Sequence, residues 1–270
     1  MLTVEMIKTP HQITSGFLNR TVELDILCPE QTAAQAPLHL LLLNDGQEAE
    51  ALQLAATTAA LLSAGKIEPM IIVAIKASDD RLQEYGVAGV PDFMGRGAKA
   101  DAYSQFVVSE LLPYLRTTFK ALGRGKVGFA GCSLGGLSAF DIAWRHPEIF
   151  DVAGVFSGAF WWRTKAFEDG YSDQDRILHE RIRQTAEKPE VKIWLMTGTE
   201  DETADRNHNY IIDSIDDTID VIKELLNKGY TRPDQVFYYE MVGGKHHPSS
   251  WAKALPCFLI WAFATPHYPI

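Results

Sequence analysis

The chain has little cysteine, no surplus of basic charge and no long apolar run, and each shortage closes off a class of protein. Three cysteines in 270 residues (Cys28, Cys132, Cys257) are too few and too scattered for a disulfide framework or a zinc site. That usage fits a reducing compartment, and the cytoplasm is the expected location. The formal net charge is −10, and the basic residues form no run. Nucleic acid and anionic membrane surfaces are therefore not expected as partners. No stretch approaches the roughly 20 consecutive apolar residues that span a bilayer. Met1 to Gly16 lacks the basic start and apolar core of a signal peptide. Internal repeats, low-complexity tracts and linkers are missing as well, so 1–270 reads as a single domain, a common size for α/β folds.

What is present is an ordinary core, with 46% hydrophobic and 22% charged residues, and a regular alternation of strand-like and helix-like segments. Val22 to Leu27, Leu38 to Leu43, Met70 to Ile75, Lys126 to Ala130, Val152 to Phe156, Val191 to Met196 and Gln235 to Glu240 read as strands. Between and after them, Glu48 to Ala64, Ala102 to Phe119, Leu137 to Trp144, Asp173 to Thr185, Ile215 to Asn227 and Ser249 to Phe263 read as helices. Such an order predicts an α/β fold, a mostly parallel central sheet with helices on both faces.

The segment Gly131-Cys132-Ser133-Leu134-Gly135 fits Gly-x-Ser-x-Gly between a strand and a helix. A serine on so sharp a turn adopts strained backbone angles, and the flanking glycines relieve the crowding. A serine hydroxyl is a poor nucleophile at neutral pH and needs a histidine base oriented by a carboxylate. After an elbow of this kind the acid and then the base follow in the chain, each on a loop after a strand. The acid slot after Val191 to Met196 holds Asp201, with Glu200 and Asp205 as rivals. The base slot after Gln235 to Glu240 holds His246 and His247 behind Gly243-Gly244. Oxyanion donors are expected from the Leu134 N–H and from the loop Asn44-Asp45-Gly46-Gln47, through Gln47 N–H or Gly46 N–H. The Gly46 position is expected to let the backbone approach the substrate.

Leu43-Asn44-Asp45-Gly46-Gln47, the Gly-Cys-Ser-Leu-Gly-Gly elbow, Phe156-Ser157-Gly158 leading to Trp161-Trp162, Gly198-Thr199-Glu200-Asp201 and Gly244 to Trp251 occur in this order. In that combination the chain resembles the esterase D-like branch of the α/β-hydrolases, over roughly Thr21 to Phe263. That branch includes feruloyl esterases, enterochelin esterases, S-formylglutathione hydrolases and mycolyltransferases. The resemblance implies the α/β-hydrolase fold, with Ser133 as nucleophile, Asp201 as acid and His246 as base. Its members often carry tryptophan five residues after the catalytic histidine, the place of Trp251 relative to His246. The implied activity is that of a serine esterase working through an acyl-enzyme on a small-molecule or saccharide-linked ester. An acyltransferase on the same triad and a non-catalytic carbohydrate-binding protein on the same fold are the alternatives.

Two further features invite a reading. Trp161 and Trp162 fall just beyond a strand, at the edge where open α/β sheets bind ligands, and are candidates for stacking on substrate. Asp205, Asn207, Asn209, Ile211, Asp213 and Asp216 occupy positions one, three, five, seven, nine and twelve of a calcium-loop pattern. Tyr210 stands where that pattern has glycine, and Asp216 where it has glutamate. A structural Ca2+ bracing the acid loop is one expectation, and a helix cap built from the same acids is the other. No cofactor is expected to be required for catalysis.

Overall fold

A hairpin of strands β1 (Met6–Ser15) and β2 (Arg20–Pro29) is followed by β3 (His39–Asn44), β4 (Met70–Ile75), β5 (Val127–Cys132), β6 (Val152–Phe156), β7 (Lys192–Glu200) and β8 (Val236–Lys245). These eight form one sheet in the order β1-β2-β4-β3-β5-β6-β7-β8. Only the β1–β2 and β2–β4 pairings are antiparallel, and every pairing from β4 to β8 is parallel. The computed structural model describes residues 4–30, 38–120, 122, 125–266 and 268.

Helices α1 (Leu54–Ser63), α2 (Arg81–Glu84), α3 (Ala100–Gln105), α4 (Leu112–Thr118), α5 (Leu134–Arg145), α6 (Ile177–Gln184), α7 (Asp213–Asn227) and α8 (Pro248–Phe263) connect or follow the strands, with a π-helical turn at Phe106–Leu111 joining α3 to α4. The nearly pure leucine strand β3 shows why a parallel interior strand has no polar face. Leu40 and Leu42 belong, with Phe106, Leu137, Phe140 and Val221, to the core on one side of the sheet. Leu41 and Leu43 pack with Leu54 of α1 and Phe258 and Phe263 of α8 on the other. Successive side chains point to opposite faces, and here both faces are dry.

Strand β1 is the one strand the sequence pattern does not predict. Its residues Lys8-Thr9-Pro10-His11-Gln12 are polar and mostly exposed, as an edge strand needs to be, and Pro10 can sit only where no ladder bond is required. The ends of β7 and β8 also extend past the sequence reading, so that Thr197 to Glu200 and Met241 to Lys245 are strand rather than loop.

Gly154 of β6 shows how closely α8 is seated on the sheet. A methyl group there would stand 2.5 Å from the Phe258 ring. Gly154→Ala is expected to cost about 1–3 kcal/mol through overpacking. Thermal unfolding checks this, at about 2–4 °C of Tm per kcal/mol for a domain of this size.

Candidate active site

Ser133 is the residue between β5 and α5, with φ 54° and ψ −124°, a backbone region that costs about 1–3 kcal/mol for a residue with a side chain. Its surroundings hold it there. The Ser133 N–H donates to Phe156 O (2.8 Å), and Ser133 O accepts from Gly136 and Leu137 N–H. A Cβ on Gly131 would lie 2.4 Å from the Gly135 backbone, and one on Gly136 would lie 2.8 Å from Gly131 O. The glycines are therefore set by backbone-to-backbone approach. Ser133 lines a cavity of about 400 Å³ with Asn44, Asp45, Gln47, Glu48, Leu52, Arg81, Cys132, His247, Pro248 and Trp251. Cys132 contributes packing: burial pushes its thiol well above the usual range, so it carries no thiolate.

The loop after β3 comes up beside the elbow. Asp45 is in the left-handed region (φ 58°), and its carboxylate takes a bidentate pair from Arg81 Nε (2.6 Å) and Nη2 (2.8 Å). Asn44 Nδ2 donates to Gly135 O (2.8 Å), and the Tyr103 hydroxyl donates to Asn44 Oδ1 (2.5 Å). Gln47 is strapped down by its side chain, whose Oε1 accepts from Ala77 N–H. Among the described residues, neither Leu134 N–H nor Gln47 N–H has an acceptor. The reason for glycine at 46 differs from the expectation. A Cβ there would stand 2.5 Å from the Ala74 backbone, so the loop needs glycine to pass β4 rather than to admit a substrate.

Asp201 and His246 leave neighbouring strands side by side. A register shift between Gly198 and Glu200 brings Glu200 opposite Lys245, and the next residue on each strand is Asp201 and His246. Gly198 permits this, since a Cβ there would meet Gly244 O at 2.3 Å and Asp201 Oδ1 at 2.8 Å. Both Asp201 carboxylate oxygens are buried without a hydrogen-bond partner among the described residues. Desolvation lowers the His246 pKa below its ordinary value; the Asp201 charge raises it and Arg81 lowers it further. The His246 ring meets the Trp251 indole edge-on, with centroids 5.2 Å apart. Trp251 Nε1–H in turn donates to Ser157 Oγ (2.9 Å) at the end of β6. His247 is engaged differently. Its Nδ1 accepts from Ser249 N–H as the N-cap of α8, which leaves its proton on Nε2. Glu200 is exposed and faces Lys245, and Asp205 is used within its own loop.

Neither Trp161 nor Trp162 lines the cavity. Trp162 is fully buried against Gly86 and Gly97, so it cannot stack on a ligand. Trp161 is half-buried with Arg96 over its ring and lies outside the cavity lining. The cavity wall is instead supplied by Glu48, Leu52, Pro248 and Trp251; only Trp251 was picked out from the sequence, and Leu52 and Pro248 carried no signal there.

In the calcium-loop pattern, Asp205, Asn207, Asn209 and Asp216 lie together in one hydrogen-bonded cluster. Asp216 Oδ2 accepts from the Asn207 and Asn209 side-chain amides, and the Asp205 carboxylate accepts from Asn209 and Tyr210 N–H. Ile211 N–H donates to Asn209 Oδ1, and Asp213 Oδ1 accepts from Arg206 N–H. The Arg206 guanidinium, at the second position of the pattern, is bound to Asp213 and Asp217. No group of three or more His, Cys, Asp or Glu among the described residues is placed to hold a metal. No described helix is long and apolar enough to cross a membrane.

Comparison with known proteins adds an independent line. A family model described as "Putative esterase" matches residues 15–262. Among curated proteins none matches. An enterobactin esterase from Shigella flexneri, solved in the presence of enterobactin, aligns with a TM-score of 0.73 and 21% identity over 94% of this chain and 58% of that one. The chain thus spans little more than half the length of that enzyme. A ferulic acid esterase aligns at 0.70 and 19% identity over 96% of this chain and 98% of that one. A siderophore hydrolase from Aspergillus nidulans aligns at 0.66 and 16% over 96% and 94%. At these identities the likeness is one of fold.

The Arg206 centre carries a stability prediction. Asp217 is buried, and desolvation raises its pKa while Arg206 and Arg176 lower it. Arg206→Ala leaves that carboxylate with Arg176 alone and is expected to cost about 3 kcal/mol. Urea unfolding at neutral pH measures it, and Arg206→Lys should recover part of the loss.

Proposed function

The chain belongs to the family described as "Putative esterase" and has the α/β-hydrolase fold, and from that premise we propose that it hydrolyses carboxylic esters through an acyl-enzyme on Ser133. His246 is the base, and Asp201 is the acid that orients it. The observation that carries this reading is Asp201. A buried carboxylate with no protein hydrogen bond is costly, about 1–3 kcal/mol or more for a charged group, and beside it at the end of the neighbouring strand is His246, whose pKa its charge raises.

In this reaction Ser133 Oγ attacks the ester carbonyl while its proton passes to His246 Nε2. Asp201 receives the Nδ1–H and stabilises the imidazolium. The carbonyl oxygen, now negative, is held by Leu134 N–H and Gln47 N–H at the N-terminus of α5, where the helix dipole also favours negative charge. Each such donor is worth about 10²–10³ in rate. His246 returns its proton to the leaving alcohol, and water then repeats the sequence to free the acid. One side of the ester fits the cavity of about 400 Å³, whose apolar wall is Leu52, Pro248 and Trp251. Small-molecule esters are therefore the substrate class, and a panel of aryl and alkyl esters ranks them.

Ser133→Ala is expected to lower kcat on p-nitrophenyl acetate by about 10⁵–10⁶-fold without altering the melting temperature by more than a few degrees. Activity retained in that variant would falsify the assignment. The pH profile supplies a second check. The base works as neutral imidazole, and its lowered pKa keeps it neutral in more acidic solution. The rise of kcat/KM with pH should thus have its midpoint below about 6.5, the ordinary histidine value. A midpoint above 7 contradicts the assignment.

A further inference from the structure

The proposed oxyanion donors come from two separate chain segments, Leu134 on α5 and Gln47 on the loop after β3. Their separation must hold to within a few tenths of an ångström for both to reach one oxygen. One side chain spans the two segments. Asn44 is 1% exposed, and its Nδ2 donates to Gly135 O, one residue beyond Leu134. Its Oδ1 accepts from the Tyr103 hydroxyl, itself 1% exposed. Tyr103 packs against Tyr85 with ring centroids 5.1 Å apart, and the Tyr85 hydroxyl accepts from Asp45 N–H at 3.3 Å. The strands below are in register, with Leu43 opposite Ala130, so Asn44 and the elbow begin from adjacent ladder positions. On its far side the loop is stopped by Ala74, which Gly46 touches.

Resting on the esterase reading of Ser133, we infer that Asn44 is a positioning residue for the oxyanion hole, with Tyr103 holding its amide in the orientation that serves Gly135 O. A pure packing role would satisfy the same burial. The distinguishing feature is that the two hydrogen bonds join the donor-bearing segments to each other and to a third element, α3. Loss of the amide lets the Gln47 segment shift relative to Leu134 while the cavity wall, which binds the ground-state ester, stays in place. The loss then falls on kcat rather than on KM.

The test uses Asn44→Ala, Tyr103→Phe and the double variant, with thermal unfolding recorded for each. The probe is a trifluoromethyl ketone, which adds to a serine hydroxyl and places an oxyanion where the ester's would form. Asn44→Ala is expected to lower kcat about 10-fold or more, to leave KM within twofold, and to weaken the ketone by the same factor as kcat/KM. Tyr103→Phe, which keeps the ring, should lower both in the same direction by a smaller factor. Because both act through one amide, the double variant should be no worse than Asn44→Ala. Parent-like kcat and ketone affinity in Asn44→Ala would overturn the inference, as would effects of the two substitutions that multiply. If Asn44→Ala does not fold, parent-like ketone affinity in Tyr103→Phe overturns it by itself. Ser133→Ala keeps the two levels apart. An inactive Ser133→Ala beside a normal Asn44→Ala removes only the role of Asn44, whereas an active Ser133→Ala removes the esterase reading and this inference with it.

Discussion

The backbone contact between β5 and the first turn of α5 is the constraint on which the site depends. Gly131, Gly135 and Gly136 approach so closely that a single methyl at any of them would overlap neighbouring atoms: the Gly135 backbone for Gly131, Asp45 Oδ2 for Gly135, and Gly131 O and Val155 for Gly136. This contact holds Ser133 at φ 54°, where it lines a cavity. The strain of about 1–3 kcal/mol is offset by the surrounding core, in which β5, β6 and α5 are almost entirely buried. The same contact starts α5 directly after the serine, so the Leu134 N–H is left without an acceptor beside the hydroxyl.

Around that turn the polar groups are tied in pairs across separate segments. Asn44 joins the β3 loop to α5, Asp45 joins it to Arg81 of α2, and Trp251 joins α8 to the end of β6. Ser157, the acceptor for Trp251, is itself at φ 48° with its N–H on Met196 O. Two residues with side chains are thus held in the left-handed half of backbone space at adjacent strand ends, each anchored to the next strand. Such over-determined strain is found where geometry must not relax. Asp201 is the exception in this pattern. Both of its buried oxygens lack a hydrogen-bond partner among the described residues.

The sequence discloses the fold well because its signals are local. Six apolar residues in a row, as in Met70 to Ile75, can only be an interior strand when flanked by amphipathic helices, and β4 has those bounds. Strand β1 was illegible because an edge strand is polar by necessity. The slots for Ser133, Asp201 and His246 follow from chain order, yet the register shift that sets Asp201 beside His246 does not. It depends on Gly198 meeting Gly244 across two strands, a contact between residues 46 apart in the chain. The full burial of Trp162 was not legible for a related reason. Aromatic residues beyond a strand end serve equally as ligand platform or as core, and the choice was made by Gly86 and Gly97, which open a slot for the Trp162 ring. In the Asp205 to Asp216 loop, oxygen spacing alone could not reveal that Arg206, at its second position, binds Asp213 and Asp217.

The central claim, that Ser133 carries the acyl group, is tested most directly by trapping the covalent enzyme. A fluorophosphonate is incubated with the protein at neutral pH, and the digested product is mapped by tandem mass spectrometry. The account predicts one adduct per chain, on Ser133, with loss of ester hydrolysis in step with labelling. Labelling of another residue in step with inactivation, or full ester hydrolysis after stoichiometric labelling of Ser133, would contradict it.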